Sequence, residues 1–177
     1  SSLKKISPDI IIHTAGLTNI EQCESSPNLA KQINVNISSN IAKASKYFNI
    51  KLIHISTDHL FNNKKIYYKE TDKTSPINIY GKSKIKAEKE ILKINRKALI
   101  IRTNFFGWGT DYRKSFSDFI IENLEKKRKI YLFNNLFFTP ILIDELVKII
   151  HSLIKKDVNG VYNVGGNTRI SKFDFGI

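Results

Sequence analysis

Three short runs of nearly unbroken apolar residues, Ile10 to Thr14, Lys51 to Ser56 and Ala98 to Thr103, constrain this chain more than any other feature. A strand that is apolar on both sides has to be covered on both faces, the condition of a parallel sheet flanked by helices. The intervals between the runs have helical character. Ser26-Pro27 opens a segment reaching about Tyr47, with Leu29, Ile33, Ile37, Ile41 and Ala44 spaced to share one face. A second helical segment runs from about Tyr80 to Asn95, after a polar loop containing Asn62, Asn63, Lys64 and Lys65. Strand and helix alternating in this order predict an α/β fold built on a parallel sheet with crossover helices.

Beyond Thr103 the texture changes. Phe105-Phe106-Gly107-Trp108-Gly109 reads as an aromatic loop rather than a strand, and Ser115 with Asp118 forms a capping-box pattern opening a helix to about Lys126. Lys129 to Phe133 is expected to be a strand, Asp144 to Ile154 a helix, and Gly160 to Gly165 a strand leaving into a Gly-Gly turn. Phe173-Asp174-Phe175 reads as the start of a helix. The expected division is a sheet domain over residues 1–104 and a substrate-facing lobe over 105–177, interleaved with the last sheet elements.

The 177 residues suffice for one sizeable core and a small second lobe. The chain has no Met and opens in Ser1-Ser2, so it reads as a piece of a longer protein. No apolar run approaches a membrane span and no signal-peptide pattern occurs, so a cytoplasmic setting without membrane partners is expected. Single Cys23 has no internal disulfide partner and no metal-ligand spacing around it. His13, His54 and His151 share no spacing that suggests a metal, and the two strand histidines read as structural. The net charge of +13 raises nucleic-acid binding as a candidate. However, Lys82, Lys86, Lys89 and Lys93 lie off the apolar stripe of their helix, and Lys126-Lys127-Arg128-Lys129 follows a helix end, where cations suit the dipole. No zinc-finger spacing or aromatic RNA-binding signature occurs. Solvated lysines are the simpler reading, and the charge excess suits a diphosphate ligand.

Chemistry gathers around Ser56-Thr57-Asp58-His59 and Tyr80-Gly81-Lys82-Ser83-Lys84. Tyr80 and Lys84 stack on one helix face, and Ala87, Ile91 and Ile94 continue that stripe inward. An interior ammonium would favour ionised Tyr80 and ease proton exchange near neutral pH. Thr57 stands at the carboxyl end of a buried strand, where ligands gather in open α/β sheets, and its hydroxyl could hold a carbonyl beside Tyr80. Asn34 interrupts an apolar stripe, so its amide needs an internal partner, for which a water relay to Lys84 is one candidate. Each residue has an ordinary alternative: Thr57 capping a turn, Asn34 satisfying a loop carbonyl, Lys84 reaching solvent. Their joint placement on strand and helix ends favours the chemical reading.

These motifs, with Pro8 to Gly16, Ile33-Asn34, His54 to Asp58, Phe61, Arg102-Thr103, Thr139-Pro140 and Val161 to Gly166, resemble the extended short-chain dehydrogenase/reductase superfamily, and within it the dTDP-4-dehydrorhamnose reductases. The resemblance implies a truncated Rossmann-like fold, reduction of a nucleotide-linked 4-keto deoxysugar, NADPH or NADH as cofactor, and a homodimer in the full-length protein. It implies Tyr80 as proton donor, Lys84 as the ribose-binding residue that tunes it, Thr57 as the group orienting the carbonyl, and Asn34 in the relay. Ala15, Gly16, Thr18, Ser56, Tyr80, Lys84 and Thr103 would line the cofactor, and Asp58, His59 and Asn104 the substrate. No metal is implied. The pattern departs from the family in three places. No Gly-x-Gly-x-x-Gly loop occurs. His59 stands where Tyr is usual, and Phe105 where Trp is frequent. Nucleotide-sugar dehydratases carry Asp-Glu after the catalytic Thr, whereas Asp58 is followed here by His59, which argues against elimination. A second reading is a non-catalytic partner subunit, like the regulatory subunit of methionine adenosyltransferase. Another nucleotide-sugar epimerase or reductase is a third.

Overall fold

The structure is a computed structural model that describes residues 2–62, 64–110 and 114–177. Asn63 of the expected polar loop lies outside the described residues. The chain forms two compact units, Ser1–Arg102 with Val158–Asn163, and Thr103–Asp157 with Val164–Ile177.

In the first unit a short helix, α1 (Ser2–Ile6), precedes β1 (Ile10–His13). A helix not anticipated from the sequence follows, α2 (Ile20–Ser25), started by Asn19, whose side chain accepts the Gln22 N–H at 2.8 Å. Next comes the long expected helix. Pro27 fills the first turn of α3 (Pro27–Ala30), the backbone widens into a π-helical stretch over Lys31–Ile37, and α4 (Ser38–Tyr47) completes it. β2 (Lys51–Thr57), α5 (Ile79–Ile94) and β3 (Leu99–Thr103) then alternate as the apolar runs predict.

The strand order is β1-β2-β3-β7, with β7 spanning Gly160–Val164. β1 and β2 run parallel, and Ile10 pairs with Lys51 and His13 with His54. Every residue of β3 is buried. The core joins Ala42, Leu52, Ile91, Ala98 and Ile100, with Ile11, Ile41, Leu92, Ile94 and Val161 packed against them. Burial of each large aliphatic side chain contributes about 1.5–3 kcal/mol, which makes this helix and sheet contact the main support of the site. Lys82, Lys86, Lys89 and Lys93 are all exposed on the outer face of α5, as their spacing predicts.

The second unit departs further from expectation. Phe105–Phe106 is a short strand, β4, rather than a loop. The helix α6 (Phe116–Glu125) begins at the expected capping box, with Ser115 accepting the Asp118 N–H at 3.0 Å and Asp118 accepting the Ser115 N–H at 2.7 Å. Residues 129–133 are not a strand. The Phe133 carbonyl accepts the Phe173 N–H, while Tyr131 and Phe133 are exposed. The strand instead forms at β5 (Phe137–Phe138), because that segment finds an antiparallel partner. β6 (Ile141–Leu142) pairs in parallel with β4 and leads into α7 (Ile143–Lys155). β8 (Ile170–Ser171) is the partner of β5. Phe173–Phe175 lies in a hydrogen-bonded turn rather than a helix, held by reciprocal bonds between Ser171 and Asp174.

Candidate active site

Asn78 determines where α5 begins: its side chain accepts the Gly81 N–H at 2.8 Å. Tyr80 therefore sits in the first helical turn, whose Ile79 and Gly81 amides are taken up by Glu24 and Asn78. Lys84 follows one turn later on the same inward face. Tyr80 and Lys84 are 9% and 5% exposed. Gly81 is required by the same packing, since a Cβ there would meet the His59 carbonyl oxygen and lie 2.8 Å from Pro76 Cβ.

Lys84 Nζ donates to the Ile55 carbonyl at 2.8 Å and lies 3.2 Å from His54 Nε2. Burial lowers its pKa from 10.5 to about 8, against the opposing pull of the Glu88 carboxylate one turn further on. The ammonium is thus still the major form at neutral pH, but a proton leaves it far more readily than from an exposed lysine.

Thr57 closes β2 and is buried. Its Oγ1 accepts the His59 N–H at 3.2 Å and makes a long 3.4 Å contact with Asp58 Oδ1. It caps the turn and also stands at the strand's end, so the ordinary and the chemical reading of this residue are compatible. The turn brings the His59 ring edge-on to Tyr80, with centroids 5.8 Å apart and planes at 75°. Asp58 Oδ1 is 3.8 Å from His59 Nε2.

Asn34 occupies the π-helical stretch and is buried. Its Oδ1 accepts the Leu17 N–H at 2.7 Å, while Nδ2 donates to the Leu17 carbonyl at 3.0 Å and to Ser83 Oγ at 2.8 Å. Its side-chain partners are therefore Leu17 and Ser83, so Asn34 satisfies a loop carbonyl, the ordinary alternative for this residue. Ser83 Oγ in turn donates to the Tyr80 carbonyl at 2.7 Å. Asn34 thus ties the turn after β1 to the helix carrying Tyr80. A Cβ on Gly16 would lie only 3.1 Å from Asn34 Oδ1, so a small residue suits that turn. Ala15 and Thr18 flank it and are exposed.

Ser56 was expected to face a cofactor, but its hydroxyl proton turns inward to Glu88 Oε1 at 2.5 Å. Glu88 also receives Arg102 Nε and Nη2, the latter at 2.7 Å, forming a buried ion pair with matched hydrogen bonds. Thr103 ends β3, its Oγ1 buried without a hydrogen-bond partner. Asn104 follows it and accepts the Ile141 N–H on its backbone carbonyl at 3.1 Å. Thr103 and Asn104 belong to the second unit, whereas the other site residues belong to the first.

Several participants were missed in the sequence. His13 and His54 pair in register on β1 and β2, with ring centroids 4.9 Å apart and planes at 43°. His13 Nε2 lies 2.9 Å from Ser38 Oγ, and that hydroxyl donates to the Asn34 carbonyl at 2.7 Å. Burial, with the Lys84 charge adding to it, lowers His13 to about 4 and His54 well below its ordinary value, so both rings are neutral at pH 7. The available signal was a single His interrupting each of two apolar strands, and Glu88 four residues beyond Lys84. Among the described residues, no group of three or more His, Cys, Asp or Glu side chains could hold a metal ion. No helix among them is long and apolar enough to cross a membrane.

A sheet whose β2 ends in Thr57, beside a helix presenting Tyr80 and a buried Lys84, is a Rossmann-like α/β fold, with these three residues as its candidate site. The model of the RmlD substrate binding domain matches residues 1–177, and the chain belongs to that family. It is 31% identical over 182 residues to a dTDP-4-dehydrorhamnose reductase of Escherichia coli (strain K12), covering 98% of this chain and 60% of that protein. The rat methionine adenosyltransferase 2 subunit beta is 27% identical, with 94% of this chain and 52% of that protein covered. A crystal structure of dTDP-4-dehydrorhamnose reductase from Bacillus anthracis in complex with NADP superposes with a TM-score of 0.91 at 32% identity, over 99% of this chain and 62% of that one. The chain thus spans about 60% of the length of these reductases.

Proposed function

We propose that the protein containing this chain reduces the 4-keto group of a nucleotide-linked deoxysugar, using NADPH or NADH. The observation that carries this reading is Lys84. A lysine 5% exposed, held by the Ile55 carbonyl and aligned on one helix face with Tyr80, is costly to a fold unless its charge is used. The relatives named as dTDP-4-dehydrorhamnose reductases, and the NADP complex of one of them, support the substrate class and the cofactor.

The residues present suit a nicotinamide cofactor. The turn at Ala15, Gly16 and Thr18 is drawn tight by Asn34, and Lys84 has a third ammonium proton to offer beyond its two partners in the fold. These residues, with Tyr80, would hold it. Ser56 offers only oxygen lone pairs, since its proton is taken by Glu88. When bound, the cofactor supplies a hydride to the carbonyl carbon. Tyr80 supplies the matching proton to the carbonyl oxygen, and the Lys84 ammonium stabilises the phenolate left behind. Thr57 exchanges its long contact with Asp58 for the substrate carbonyl and fixes the oxygen in place. Asp58 and His59 contact the sugar. Residues 1–104 carry the cofactor-facing elements and 105–177 the substrate-facing lobe. The full-length protein works as a homodimer in the cytoplasm.

Full-length protein should oxidise NADPH or NADH only when a 4-keto sugar nucleotide is present. Absence of turnover with a folded protein, together with a stable complex with a synthetase, would instead support a partner-subunit role.

A further inference from the structure

We propose that His54 is a positioning residue for Lys84, the last member of a buried polar chain that runs from Asn34 through Ser38 and His13 to the lysine. Two hydrogen-bonded segments, Asn34–Ser38–His13 and His54–Lys84, meet where the His13 and His54 rings touch, their centroids 4.9 Å apart. Ser38 gives its proton to the Asn34 carbonyl, so toward His13 its oxygen can only accept, and His13 Nε2 carries the proton. At the other end Lys84 Nζ donates, so His54 Nε2 accepts and the His54 proton sits on Nδ1. That Nδ1 is buried and has no hydrogen-bond partner. An unsatisfied ring N–H in the core is a cost that an apolar residue at this position would avoid. The benefit lies with the other nitrogen, which adds a second acceptor for Lys84 from the same strand as the Ile55 carbonyl.

The chain also closes on itself. Through its side chain Asn34 reaches Ser83 and the Tyr80 carbonyl, and through its own carbonyl it reaches Ser38 and the histidine pair. Tyr80 and Lys84 are thus joined along α5, and through the sheet by two hydrogen-bonded segments that meet at the His13–His54 ring contact. The His13 and His54 rings lie side by side on β1 and β2, tilted by 43° to each other. The titratable groups around Lys84 are His54 on β2, His13 on β1, and Tyr80 and Glu88 on α5, with the Glu88 charge answered by Arg102 of β3. His54 accepts a hydrogen bond from Nζ at 3.2 Å, so its removal should weaken the ammonium relative to the neutral amine.

The inference rests on the reductase reading only in making Lys84 the group worth positioning. Its test is therefore a titration, not an assay. Full-length protein is labelled with [13Cε]lysine, the Lys84 resonance is assigned from its loss in Lys84→Arg, and its pH titration is followed without cofactor or substrate. In His54→Leu the Lys84 pKa should fall by about one pH unit or more below the wild-type value, and in His54→Gln, which retains an acceptor, it should stay near wild type. If the leucine variant does not fold, the glutamine variant still decides: a titration moved down by a full pH unit there overturns the proposal. An unchanged or raised titration in His54→Leu overturns it as well. The basic limb of the reductase pH profile should move with the Lys84 titration in each variant. Lys84 titrations as expected, in a protein that turns over no sugar nucleotide, would sink the reductase reading and leave this one standing.

Discussion

Lys84 has to be buried and charged at once, and the residues around it reflect that conflict. Burial moves its pKa down to about 8, while Glu88 and the two acceptors on β2 hold the ammonium in place. Between about 8 and 10.5 the unfolded chain keeps a proton that the folded one has released, so this group's contribution to stability rises with pH in that window. His13 acts in the acid range. Its pKa falls from 6.5 to about 4, so as pH drops through that interval the unfolded chain takes up a proton that the folded core refuses. The resulting loss of stability from this one ring is about 3 kcal/mol once pH 4 is reached. Urea unfolding of His13→Asn, which keeps a donor for Ser38, should show a shallower decline between pH 6.5 and 4 than wild type. An unchanged slope would mean that His13 is not the buried neutral group described.

At the scale of elements, the site depends on how α5 and the π-helical stretch meet the ends of β1 and β2. Asn34→Ala removes three hydrogen bonds, strands the Leu17 amide and leaves the Leu17 carbonyl with the weak Cys23 thiol donor, at a cost of about 3 kcal/mol. It should also weaken cofactor binding more than substrate binding, because the turn it releases is the one at Gly16; equal effects on both would contradict that assignment. Gly81→Ala presses on the His59 carbonyl, and should lower the thermal midpoint and activity together. In the core, Ile100→Ala should cost about 2–5 kcal/mol by denaturant melt, since β3 is fully buried. Much of this architecture was legible in the sequence. Apolar runs marked β1, β2 and β3, and the four-residue step placed Tyr80 and Lys84 on one inward face. The π-helical widening was not legible, because Lys31 to Ile37 keeps an ordinary helical pattern of side chains and the extra residue per turn is a backbone effect. Residues 129–133 form an apolar, aromatic run like a strand, but a strand exists only where a partner does, and the partner at Ile170–Ser171 lies opposite Phe137–Phe138. The two strand histidines read as structural in the sequence, but their pairing did not, because register, not local sequence, brings His13 beside His54.

For the whole molecule, the excess of 29 basic over 16 acidic residues gives the +13 charge, and the lysines along the outer face of α5 account for part of it as ordinary solvated charge. The chain holds the Thr57, Tyr80 and Lys84 set in its first unit, while Thr103 and Asn104 lie in the second. It matches the RmlD family model along its entire length while spanning about 60% of the related reductases, so activity is to be sought in the full-length protein. The central claim is that Tyr80 is the proton donor in a carbonyl reduction. Its most direct test is the steady-state oxidation of NADPH or NADH by full-length Tyr80→Phe with a 4-keto sugar nucleotide, measured beside cofactor binding by fluorescence titration. The account predicts a loss of turnover of about 10²–10⁴-fold with cofactor affinity largely retained. Turnover within a few-fold of wild type would contradict it.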